Sequence, residues 1–95
     1  MEHVNLKIGP LTFDRASYDD ENDVLYLHVG DPKLAEGEET LEGHVLRFAP
    51  GTNDVIGLTI VGPRQALARE GRISITVAAT VETTAKHLAP ALAAR

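Results

Sequence analysis

The chain contains no cysteine. That absence excludes disulfides, thiolate nucleophiles and cysteine-ligated zinc, and it suits a reducing compartment. Aromatic residues are scarce, limited to Phe13, Tyr18, Tyr26 and Phe48, so a core has to be built from Val, Leu and Ile. No apolar run approaches the roughly 18–20 residues that a membrane span requires. The opening MEHVNLKIGPLTFD lacks the positive region followed by an apolar run that marks a secretory signal. A soluble, cytoplasmic protein that does not engage membranes is expected. Neither G-x-G-x-x-G nor a P-loop occurs, and Ser17 and Ser74 lie outside any G-x-S-x-G motif. Nucleotide-binding loops and nucleophilic catalysis therefore have no support in the sequence, and no cofactor is expected.

What is present fits a single domain, residues 1–95, because two independent cores would not fit in 95 residues. A domain of this size buries only about 60–65% of the surface its unfolded chain exposes. Small domains often make up such a thin margin with a partner subunit. Net charge is −5, unevenly placed. Between Asp14 and Glu42 there are ten acids and two bases, while from Gly43 to Arg95 there are six bases and three acids. An acidic front half of this kind bears on the choice of partner.

Strand signals dominate. LTFDRASY (Leu11 to Tyr18) alternates, with Leu11, Phe13 and Arg15 on one side and Asp14, Ala16 and Tyr18 on the other. DDEND (Asp19 to Asp23) is a cluster of turn formers, and VLYLHV (Val24 to Val29) completes a hairpin. Gly30 to Gly43 reads as a solvated acidic connection whose Glu38 to Glu42 end is extended. HVLRFA (His44 to Ala49), a Pro50-Gly51 type II turn and VIGLTIV (Val55 to Val61) give two further strands. Gly57 in the second of these signals close backbone approach. Pro63 to Gly71 reads as a short helix between proline and glycine punctuation, and RISITV (Arg72 to Val77) as a fifth strand. The stretch after it has a helical period through Ala85, Leu88 and Leu92, with Thr84 as N-cap and a kink or break at Pro90. The expected fold is a β-rich α+β domain: a four- to five-stranded antiparallel meander, a short helix after the fourth strand and a C-terminal helix. VLYLHV is apolar on both sides, so one face should pack on the C-terminal helix and the other on further chain or a second subunit, which favours a homodimer.

The segment YDDENDVLYLHVGD resembles the opening signature of the bacterial family catalogued as domain of unknown function 2283, a YD-x-E-x-D-x-LYI pattern. Tyr18, Asp19, Glu21, Asp23, Leu25 and Tyr26 match it, with Leu27 in place of isoleucine. Gly43, Val55, Ile56, Gly57 and Ile60 take the places of a later glycine and a V-x-G-I-E-I-like strand. The resemblance covers residues 16–61, leaving 62–95 as an extension. Two features depart from the pattern: Arg47 and Ala49 stand where acids are common, and Thr59 where glutamate is. The resemblance implies no established activity, and suggests an antitoxin-like or accessory role.

Several residue groups are candidate sites. Asp19, Glu21 and Asp23 alternate like the start of a calcium loop, yet Val24 and Gly30 occupy the positions where that loop needs glycine and glutamate. A backbone-bonding turn is the better reading. His28 and His44 could meet across two strands and, with a nearby acid from that turn, form a metal or small-molecule site; this is the alternative functional reading. Tyr26 and Phe48 could stack on bases, but the acidic flank would repel phosphate, so core packing is expected of both rings and nucleic acid is not an expected partner. Asp31, Glu36, Glu38, Glu39 and Glu42 are either solvated charges or a lure for a small basic protein such as a toxin. The leading expectation is a non-enzymatic protein-interaction module.

Overall fold

A computed structural model describes residues 1–31, 33–76 and 80–94, without the side chains of 80–82 and 84–87. The chain runs β1 (Glu2–Ile8), β2 (Leu11–Asp19), β3 (Val24–His28), β4 (Glu36–Glu39), β5 (Val45–Phe48), β6 (Val55–Val61), α1 (Pro63–Glu70), β7 (Arg72–Thr76), β8 (Thr80–Thr84) and α2 (Ala85–Leu92). The β-rich antiparallel character expected from sequence is present, but the strand count and order differ. Six strands form one sheet in the order β1-β2-β3-β6-β5-β4, and β7 and β8 form a separate hairpin. The sheet is thus two three-stranded meanders joined through their last strands, β3 and β6. A simple meander would have set VLYLHV beside HVLRFA; instead β6 lies between them.

Register fixes two faces. Ala16, Leu27, Leu58 and Leu46 form one cross-strand row, and Tyr18, Leu25 and Ile60 the next. All seven are buried, joined by Ile73, Ile75, Leu88, Ala91 and Ala94 from the C-terminal elements. The β7–β8 hairpin and α2 therefore cover this face, as expected for the C-terminal helix. Strict alternation in β2 fails: Phe13 and Ala16 are both buried. The register slips between His3 and Leu6 of the facing strand, an irregularity that changes which side chains meet the core. α2 continues through Pro90, which lies on its exposed side. Beyond the helix, the Ala94 carbonyl accepts from the Tyr18 amide at 3.1 Å, which anchors the end of the described chain to β2.

The turn signals mark the corners. Gly51 has φ 74° and the Thr52 amide donates to the Ala49 carbonyl at 3.0 Å, as a type II turn requires. Pro63 opens α1 and Gly71, at φ 74°, closes it. No described helix is long and apolar enough to cross a membrane.

Candidate functional site

The acidic turn is structural. Asp19 accepts from the Asn22 amide at 3.1 Å and from the Asn22 side chain at 2.8 Å, closing the turn on itself. Asp23 reaches across to α1. Its Oδ1 accepts from the Tyr18 hydroxyl at 2.7 Å and the Arg64 amide at 3.2 Å, and its Oδ2 from the Gln65 amide at 3.2 Å. The Gly62 cap residue has no side chain to offer, so Asp23 satisfies the helix's first free amides from another element. Desolvation alone would raise the Asp23 carboxyl; the Tyr18 hydroxyl, the two amides and the Arg64 charge outweigh it and hold it below the usual carboxylate range. Burial and the bond to Asp23 push the Tyr18 hydroxyl up to about 12, so it stays a donor, and the Arg64 guanidinium lies 4.6 Å from its ring centre. Glu21 is exposed. Tyr18, Asp23, Leu25 and Asp19 of the resembled signature thus serve the fold.

His28 and His44 do not meet. His28 ends β3 beside Gly57, whereas His44 precedes β5 and accepts from the Val61 amide through Nδ1 at 3.1 Å. Because Val61 pairs with Val24, the two histidines sit at opposite ends of the central strands, and they line different hollows. The acidic turn lies about 13 Å of strand away from His28. Among the described residues no three His, Asp or Glu side chains gather as metal ligands. The alternative site expected from His28, His44, Asp19, Glu21 and Asp23 is therefore not assembled.

His44 instead joins the two sheets. Its Nδ1 is an acceptor, hence unprotonated, and the ring also bonds the Ser74 backbone on β7. Burial lowers its pKa, and the opposing effects of the Glu42 charge and the Ser74 backbone do not cancel that. A folded value below the unfolded one of about 6.5 means that the unfolded chain binds the extra proton first. The stability His44 contributes is therefore complete above about pH 6.5 and is lost as pH falls from there through the folded value. The thermal midpoint should drop as pH falls below about 6.5, and His44→Gln, which keeps an acceptor and a donor, should flatten that slope. A wild-type slope in the variant would assign the titration to another group.

The acidic run is divided. Both Glu42 oxygens are taken by Thr76, through its amide and its hydroxyl, which clamps the turn before β5 to the end of β7. Asp31 stands 3.8 Å from Arg15. Glu36, Glu38 and Glu39 lie on β4, not in a loop, and all three are exposed at the free edge of the sheet. Charges on an edge strand discourage unwanted strand pairing, which accounts for them without a partner.

The open face holds what the sequence did not point to. Here Ser17, Tyr26, Thr59 and Val45 form one row, and Arg15, His28, Gly57 and Arg47 the next. A groove of about 410 Å³ is lined by Ser17, Tyr26, His28, Lys33, Arg47 and Thr59. Gly57 lets His28 and Arg47 pack closely on either side of it: an added Cβ would come within 3.1 Å of the His28 ring, 3.2 Å of the Leu27 carbonyl and 3.3 Å of the Arg47 Cβ. Tyr26, expected in the core, is 40% exposed, while Phe48 does pack against the core. Arg47 and Thr59, two positions that depart from the resembled pattern, are neighbours here, with Nε and Oγ1 3.5 Å apart. Alternation could have put these side chains on one face of each strand; it could not say which strands lie side by side. Comparison of the chain with protein-family models, curated proteins and solved structures finds no match.

Proposed function

We propose that the chain is a non-enzymatic binding module whose working surface is the open face of the six-stranded sheet. One observation carries this reading: the two faces are treated differently. One is filled by the C-terminal hairpin and helix, whereas the other leaves Tyr26, in a strand with neighbours on both sides, 40% exposed beside the groove. An aromatic ring held out from a rigid sheet is a common means of presenting a contact surface. The homodimer expected from sequence belongs to this proposal. Val24, Val45 and Val61 share the face with Tyr26, and a second copy would cover that strip. An antitoxin-like role is a narrower form of the same reading, in which a small basic protein also meets Glu36, Glu38 and Glu39 on β4.

Sedimentation from micromolar to millimolar concentration tests the homodimer. A dimer is expected, with a buried surface above about 1,200 Å², and Val61→Glu, at a 51% exposed position of that strip, should return it to monomer without changing its unfolding midpoint appreciably. A dimer that survives Val61→Glu would place the contact elsewhere and count against the open face.

A further inference from the structure

Two cationic side chains, Arg47 and Lys33, line the groove on a chain of net charge −5. Arg15 is engaged by Asp14 at 3.3 Å and Asp31 at 3.8 Å. Arg47 and Lys33, which line the groove, have no carboxylate within ion-pair distance among the described residues. Arg47 touches Thr59 through Nε, leaving the two terminal nitrogens of its planar fork to be satisfied. His28 is 6% exposed, and its Nδ1 lies 3.2 Å from the Gly30 carbonyl. A carbonyl only accepts, so His28 donates to it from Nδ1. Ser17 and Thr59 add hydroxyls, and Tyr26 adds an exposed flat ring.

We propose that this groove binds a small anion carrying a planar ring, of the class of nucleoside monophosphates, with the phosphate on Arg47 and Lys33 and the ring against Tyr26. The inference rests on the reading that the open face is the working surface, and it names the ligand. A fork and an ammonium from two segments that line one groove suit a phosphate group. A volume of about 410 Å³ is within the usual range for small-molecule sites. The same charges argue against a polymer. A long polyanion would lie across the acidic β4 edge and meet the repulsion of the whole chain, whereas a single phosphate inside the groove is governed by charges within a Debye length of about 8 Å.

The test is an amide NMR titration with adenosine monophosphate, and with adenosine and inorganic phosphate separately. Saturable shifts at Ser17, Tyr26, His28 and Thr59 are expected with the monophosphate, and binding about tenfold or more weaker with either half alone. Arg47→Gln should weaken binding about tenfold to a hundredfold and Lys33→Gln severalfold, while Arg69→Gln, away from the groove, leaves it unchanged. Absence of saturation at millimolar ligand, shifts centred on α1, or equal affinity in the Arg47 and Lys33 variants would overturn the proposal. Failure of the ligand while the same amides shift with protein concentration would sink the anion site alone. Amides on this face that respond to neither would sink the open-face reading with it.

Discussion

Replacing Asp23 with alanine should destabilise the fold by about 2–4 kcal/mol, seen as a lower urea midpoint at unchanged slope. Three donors lose their acceptor at once: the Tyr18 hydroxyl and the Arg64 and Gln65 amides. The hydroxyl belongs to a residue only 3% exposed, so water does not readily replace the carboxylate there. Asp23 also has φ 53°, a left-handed conformation that alanine tolerates poorly and asparagine well. Asp23→Asn should therefore lose less than alanine, isolating the cost of the charge. Tyr18→Phe combined with Asp23→Ala should lose less than the two single changes added together, since they break one shared bond. Full additivity would show that the Tyr18 and Asp23 contact contributes nothing. The carboxyl's lowered pKa sets the pH sense. Its contribution is present above the unfolded value of about 3.9 and disappears as pH falls through the folded one, so wild type and Asp23→Asn should converge in acid.

Leu25→Ala should cost about 2–5 kcal/mol, which in a domain of this size lowers the thermal midpoint by on the order of 10–30 °C. Leu25 has no exposed surface and lies between Tyr18 and Ile60, strand to strand, in the covered face of the sheet. Both neighbours are held by backbone ladders, so the wall around the lost side chain cannot collapse far and a cavity remains. A midpoint unchanged within about 2 °C would mean that this part of the core repacks freely.

Legibility in the sequence followed the strength of local signals. β2, β3, β5, β6, β7 and α1 could be read from alternation and from Pro and Gly punctuation. β1 carries no comparable signal, and of β4 the sequence suggests only an extended Glu38 to Glu42 end: Glu36–Glu39 has little β propensity and is a strand because β5 supplies a partner. The helical period through Ala85, Leu88 and Leu92 gives no sign of a strand before it, yet Thr80–Thr84 pairs with β7 before α2 begins. The site was harder still. Its rows draw on β2, β3, β6 and β5, and the neighbouring of β3 and β6 is a long-range choice that no local period encodes. That choice also parted His28 from His44 and turned Tyr26 outward. Asp23 illustrates the reverse case: its residue type announced a turn, but its main work, capping a helix some forty positions along the chain, depends on where α1 docks.

The join between the two meanders has a consequence for how the molecule assembles. Within each meander, neighbouring strands are connected by short turns, so their ladders close over little chain and form early. The β3–β6 ladder sets Val24 beside Val61 and His28 beside Gly57, and it requires both halves to find each other in the correct alignment. A one-residue slip there would send Leu25, Leu27, Leu58 and Ile60 to mismatched faces. The nascent chain completes β3 well before β6 exists, and until then β3 is an unpaired edge carrying Leu25 and Leu27. During synthesis, therefore, the interval between residues 28 and 61 is when this protein is most exposed to aggregation, and changes that delay β6 lengthen it.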